Sequence, residues 1–354
     1  MKRSYLLGLL AFLALCCVLL HLFAGTQPAA DYALKLEASQ LTERAFAELR
    51  AERLRRGIAL QPDIDPNQTG LIGPTYSGIT TTLGHLEAKR STTNPNFAAI
   101  FVACFGELGL KPGDRIAINL SGSFPCANIA ALCAAQVMGL NPVIFSSVGA
   151  SSYGGNLDAF TYPEMEYHLY QAGILEHHSL YVSMGGSADM GYEMEEEVKT
   201  AVMKRLRAQG ISLLSFWDLE ENVAFRMHVY QQEPVACFVN VGGNLLSLGG
   251  DDSMITLSGG IVTELPKASG SRGLIQRFIA QQVPVVHMLN MRDLCTRYGL
   301  PIDPSPIPAP GEGGLYYTVA YNRVAAWLCL LAAAACLPLM RQRSNKRANQ
   351  NDQP

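Results

Sequence analysis

No GxxxxGK[ST] run occurs in the 354 residues, so the loop with which ATPases and amide ligases cradle phosphates is absent. No GxGxxG follows an apolar run either, which leaves dinucleotide binding without support, and no cofactor is expected. HExxH and CxxC are missing, and His85, His177 and His178 have no partners at ligand spacing, so no metal site is expected. Charge is scarce, at 16% of residues with a net value of −3. With no basic stripe outside the two ends, nucleic acid is excluded as a partner. Cys16, Cys17, Cys329 and Cys336 lie in apolar runs, and the middle holds the odd set Cys104, Cys126, Cys133, Cys237 and Cys295 without close pairs. That is not a disulfide framework, and the middle cysteines read as small buried hydrophobes.

Apolar residues are plentiful, at 49% of the chain. Residues 5–23, "YLLGLLAFLALCCVLLHLF", follow Lys2 and Arg3. At ~1.5 Å rise per residue they match a hydrocarbon core, so 1–25 reads as an uncleaved transmembrane anchor. A second run, "VAAWLCLLAAAACLPLM", has Tyr316, Tyr317, Tyr321 and Trp327 before or near its start and "RQRSNKR" after it. Residues 322–340 therefore read as a second transmembrane helix and 341–354 as a basic tail. Basic residues outside each run place both termini in the cytoplasm, the main domain outside, and the lipid bilayer among the partners.

Between the runs, residues 31–57 read as a juxtamembrane amphipathic helix, with Leu34, Leu41, Ala45 and Leu49 on one stripe. Asn94 is placed to cap a helix that has Pro95 in its first turn. Apolar strands are expected at 115–120, 142–147, 179–183, 212–216, 235–241 and 284–289, and helices at 125–139, 162–173, 193–209 and 273–281. That alternation predicts an α/β domain over 70–300, a Rossmann-like, mostly parallel sheet with flanking helices. The proline-rich segment 301–314 reads as a linker able to reach ~40 Å when extended.

Nearly every expected strand ends in a small-residue turn. Ser121, Gly122 and Ser123 follow the first, and Gly149 and Ser151 follow the second. Gly185 and Gly186 follow the third, and Gly242, Gly243 and Asn244 a later one, with "SGG" at 258–260. In an open parallel sheet ligands bind at this edge, where glycine admits a close approach and serine supplies donors. These residues form a candidate rim for an anionic polymer or an anionic small molecule. The alternative is that α/β folds use Gly and Ser in tight turns whether or not a ligand binds.

A hydrolase also has candidates. "ASSYG" is a degraded nucleophile elbow centred on Ser152, and Ser121, Ser123 or Ser152 could combine with His287 and Asp189 in a Ser/His/Asp set. In "HLEAKR", residues 85–90, Lys89 and Arg90 could pair with an acidic ligand or lie on a solvated helix face.

The stretch "GPTYSGITTTLGHLEAKRSTTNPNFAAIFVACFGELGLKPGDRIAINLSGSFPCANIAAL", continued by "VIFSSVGASSYGGN" and "SMGGSADMG", resembles the bacterial poly-gamma-glutamate system protein family. The resemblance covers much of the middle of the chain. It implies an accessory protein of poly-gamma-glutamate synthesis or export at the bacterial cell membrane, working with membrane subunits of a polymer synthase. Two further readings stand beside it: a membrane-tethered serine-type hydrolase of gamma-glutamyl amides, and a binding domain for a small anionic metabolite. The resemblance supplies no catalytic residue.

Overall fold

A computed structural model describes residues 3–250, 254–265 and 272–351. The chain begins with α1 (Arg3–Leu22), β1 (Gly25–Pro28), α2 (Tyr32–Arg55), β2 (Thr80–Thr82), α3 (Leu86–Thr92) and α4 (Ala98–Glu107). It continues with β3 (Arg115–Leu120), α5 (Pro125–Val137), β4 (Asn141–Ser147), β5 (Ala150–Ser151), α6 (Tyr162–Gln171), β6 (Tyr181–Ser183), α7 (Glu196–Ala208) and α8 (Leu219–Tyr230). Then come β7 (Cys237–Val241), α9 (Leu245–Leu248), β8 (Gly260–Val262), α10 (Leu274–Ala280), β9 (Val285–Met288), α11 (Met291–Tyr298), β10 (Tyr317–Ala320) and α12 (Arg323–Asn351). Two compact units result, one from 30–316 and one from 1–29 together with 317–354.

The larger unit is an α/β fold around a six-stranded mixed sheet in the order β6-β4-β3-β7-β9-β8. Five strands run parallel, and β8 alone is antiparallel, to β9. Helices cover both faces, which explains why β3 and β7 are apolar almost without interruption. The two-residue period of the strand sorts these side chains. Ile116, Ile118 and Leu120 join Val239 and Val241 on one face, against Ala127, Ile129 and Ala131 of α5. Ala117, Phe145 and Phe238 turn to the other face, against Val223 and Tyr230 of α8 and Phe278 of α10.

Three expectations need correction. Among the described residues no helix is long and apolar enough to cross a membrane. That overturns the two transmembrane helices and the two-span localisation. Residues 352–354 of the expected tail lie outside the described residues.

The amphipathic helix proves to be a core element of the larger unit. Ala38, Leu41, Ala45 and Leu49 of α2 are buried against the same cluster as α4 and α5. The proline-rich segment is likewise docked and not extended. The Asn67 side-chain amide donates to the Pro304 carbonyl at 2.8 Å, that of Asn96 donates to the Ala309 carbonyl at 2.9 Å, and Arg90 pairs with Asp303.

In the smaller unit β1 pairs antiparallel with β10, Gly25 opposite Ala320 and Pro28 opposite Tyr317. His21 Nδ1 lies 3.4 Å from the Tyr321 hydroxyl.

Candidate active site at the carboxyl edge of the sheet

From β3 the chain winds outward through β4 to β6, then returns to the far side of β3 as β7 and continues to β9. The strand order therefore reverses between β3 and β7. The loops leaving the two strands part there and open a crevice, the place where α/β sheets receive ligands. A cavity of about 880 Å³ occupies it.

Of the rim residues named from sequence, Ser121, Ser123, Gly149, Ser151, Gly186, Gly243 and Asn244 line the cavity. Gly122, Gly185 and Gly242 stand behind that lining. Gly122 is needed there for closeness: a Cβ on it would come within 2.5 Å of the Val148 carbonyl oxygen. That contact presses the Ser-Gly-Ser turn against the loop after β4 and brings Ser123 to Ser151.

Lys89 forms the centre of the site. It sits in the short helix α3, just after the turn at Gly84 and His85, and is only 3% exposed. Its Nζ is 2.7 Å from Ser151 Oγ and 2.5 Å from the Ser123 carbonyl oxygen, and it lies 3.4 Å from the centroid of the Phe124 ring. No carboxylate among the described residues forms an ion pair with it. Burial drives its pKa down from 10.5 to about 7, with Cys126 acting weakly in the opposite sense. A lysine that exchanges its proton near neutrality, within reach of a serine hydroxyl, is a base next to a nucleophile.

The surrounding serines are ordered as a chain. The Ser151 N–H donates to Ser123 Oγ at 3.0 Å, and the Ser123 N–H donates to Ser121 Oγ at 3.2 Å. Ser121 Oγ in turn donates to Ser123 Oγ at 3.1 Å. Ser123 Oγ thus accepts two hydrogen bonds, and its own proton remains available to the cavity. Ser151 itself belongs to the two-residue strand β5, held in parallel register by Thr82 of β2. Gly84 lies directly over it: a Cβ there would come within 2.9 Å of Ser151 Oγ and 2.6 Å of the Ser152 carbonyl oxygen.

The Ser/His/Asp set is not assembled. His287 is fully buried in β9, with Nδ1 3.1 Å from the Asn240 side-chain nitrogen and Nε2 without a partner. Burial drives its pKa down to about 4, so the imidazole is neutral, and no carboxylate orients it. Asp189 is taken by a second buried cation, Arg226, at 2.8 Å, and accepts further bonds from Asn222 and Ser183. Neither residue lines the cavity. Ser152 is also buried outside the lining, and its hydroxyl has no partner.

Lys89 is the residue that sequence reasoning left undecided. Arg90 pairs with Asp303, and Glu87 pairs with Arg292 at the mouth of the cavity. The remaining face of α3 carries Lys89 with Thr92, both buried. A lone lysine sharing its helical face with a small hydroxyl residue, while its charged neighbours face outward, is the available sequence signal. No group of three or more His, Cys, Asp or Glu side chains among the described residues is placed to hold a metal ion. No family model, no curated protein and no solved structure matches the chain, so the resemblance to the poly-gamma-glutamate system family rests on the quoted residues alone.

Proposed function

We propose that the cavity is the active site of a serine-type hydrolase acting by acyl transfer, with Ser151 as nucleophile and Lys89 as general base. The observation that carries this reading is the 2.7 Å contact between Lys89 Nζ and Ser151 Oγ in the lining of the cavity, where no carboxylate among the described residues pairs with the amine. Ser-Lys pairs perform the work of Ser-His-Asp sets where the amine is held neutral. As Ser151 Oγ attacks the carbonyl carbon of an ester or amide, its proton passes to Lys89. The Ser123 hydroxyl, beside Ser151 and with its own proton unused in the serine chain, is the donor assigned to the developing oxyanion. The bond to the alcohol or amine breaks, and that leaving group takes the proton from Lys89. Lys89 then takes a proton from water as the water attacks the acyl-enzyme, and returns it to Ser151 as the acid departs.

Phe124 fits this cycle. Its ring face lies against the Lys89 amine and offers a weak attraction to the transient ammonium without the permanent charge of a carboxylate. A carboxylate there would hold Lys89 protonated and remove the base.

A second reading is favoured by Arg292, whose guanidinium is two-thirds exposed at the mouth. In that reading the cavity binds an anionic polymer without cleaving it, as an accessory factor for poly-gamma-glutamate would. One experiment separates the two. The purified chain is incubated with poly-gamma-glutamate and, separately, with a fluorophosphonate probe and p-nitrophenyl acetate. Labelling of Ser151 and ester turnover, both lost in Ser151→Ala and Lys89→Met, support the hydrolase. Polymer binding without label or turnover supports the accessory factor.

A further inference from the structure

The cavity has two unlike halves, and the strand order separates them. On the side of β4 and β6 the lining consists of Ser147, Gly149, Gly186 and Ser187, with Glu193 beyond. On the side of β7 and β9 it includes a contiguous apolar set, Leu245, Ile255, Leu289 and Met291, with Asn244, Asn290 and Arg292 beside it. The two halves meet at the Ser121–Ser123 turn after β3.

The apolar half is built, not incidental. Met291 is 1% exposed and belongs to the core cluster, so it forms a fixed floor. Leu289 packs against the second core cluster, and a Cβ on Gly243 would come within 3.2 Å of it. Ile255, by contrast, leaves 58% of its surface in solvent at the edge of the cavity. The polar half reaches solvent at Ser187 and Glu193, which are both exposed.

These observations fit an acyl enzyme whose two substrate parts have different fates. The acyl part stays through both half-reactions and needs a fixed wall. The leaving group departs after the first and needs a route to water. We infer that the substrate is an ester or amide of an apolar acyl group, seated on Leu245, Ile255, Leu289 and Met291, whose polar leaving group exits past Ser187 and Glu193. The inference rests on the acyl-transfer reading, and it sets the site apart from one built for a uniform chain of carboxylates. Water displaced from Leu289 and Ile255 would be replaced by methylenes of the substrate, each worth about a fourfold gain in kcat/KM while the wall has room.

The test uses the full chain and p-nitrophenyl esters from acetyl to octanoyl, with a gamma-glutamyl p-nitroanilide alongside. The expected result is a rise of about fourfold per added methylene up to hexanoyl. Ile255→Asp, a change at an exposed position, is expected to cut the octanoyl-to-acetyl ratio by about tenfold. A flat acyl series, an unchanged ratio in Ile255→Asp, or preference for the gamma-glutamyl substrate, each with Ser151 still labelled by fluorophosphonate, overturns the apolar acyl group and leaves the serine-lysine pair standing. Absence of both turnover and label overturns the pair and the inference together.

Discussion

Among the described residues four cations are buried in the larger unit, Lys35, Arg53, Lys89 and Arg226, and the surroundings of the last two differ in kind. The Arg226 guanidinium donates to Asp189 at 2.8 Å, to Ser183 Oγ at 3.0 Å, and to the Asn119 and Asn222 side-chain oxygens at 2.6 and 3.0 Å. Its charge is neutralised and its donors are satisfied, as a permanently charged group inside a fold requires. Lys89 has two neutral oxygens and a phenyl ring. A buried amine so placed sheds its proton near neutrality, where a guanidinium could not. Arg226 ties α8 to the loop after β6, including Ala188 and Asp189 at positive φ, and so shapes one wall of the cavity. Lys89 is exposed to the cavity contents. Burial alone does not distinguish the two residues; the carboxylate beside Arg226, and the cavity and the Ser151 hydroxyl beside Lys89, do.

The sharpest way to break this comparison is at the pair itself. Ser151→Ala and Lys89→Met are each expected to lower kcat/KM for an activated ester about 10³-fold or more. Urea unfolding of Ser151→Ala should show a midpoint close to that of the parent chain. If Lys89→Met retains activity, the amine is not the base.

Arg226→Met should act on the fold instead. Removing the guanidinium leaves Asp189 buried without its counter-charge, at a cost of about 3–5 kcal/mol in urea unfolding. Adding Asp189→Asn should recover part of that loss, giving a coupling term in a double-mutant cycle. No recovery would mean that the two residues act independently.

A pH series separates the two cations further. The rate with a neutral ester should rise through about pH 7 as Lys89 loses its proton, and Arg226→Lys should not shift that midpoint. Stability carries the same signature. The fold holds Lys89 at about 7, below its ordinary 10.5, so between these values the unfolded chain binds more protons and stability rises with pH. Below about 7 the folded chain bears the full cost of the buried charge. Lys89→Met should therefore exceed the parent chain in stability at pH 6, and the margin should shrink as pH climbs toward 10.5.

The smallest effect is expected at the mouth. Arg292 and Glu87 form a solvent-exposed pair, so Arg292→Ala should change stability by ~0–1 kcal/mol, less at high salt.

How much of this was legible in the sequence differs from element to element. The bounds of β3 match the expected strand because a fully covered parallel strand is a nearly continuous apolar run with turn residues at both ends. Asn94 caps as its spacing indicates, its side chain accepting from the Asn96 N–H at 3.0 Å. The expected strand at 212–216 is reduced to one bridge from Leu213 to Val182, because the chain leaves the sheet edge for the cap of α8 at Asp218. At the two terminal apolar runs the expectation drawn from hydropathy was overturned, since among the described residues no helix is long and apolar enough to cross a membrane. In the site, glycine and serine turns were readable as a rim. Which serine meets the buried lysine was not, because Ser151 and Lys89 are 62 residues apart and come together through the pairing of β2 with β5. The elbow-like pattern drew attention to Ser152, one residue away, whose hydroxyl is buried outside the cavity.

The pairing of β1 with β10 has a consequence for synthesis. Gly25–Pro28 leaves the ribosome early, and its partner Tyr317–Ala320 follows almost 290 residues later. At ~5–20 residues per second the first strand waits roughly 15–60 s with its hydrogen-bonding edge unoccupied. Four residues, two of them Gly25 and Pro28, make a poor template for a stray neighbour during that interval. The larger unit, which lies wholly between the two strands in sequence, has that time to fold before the ends of the chain are joined.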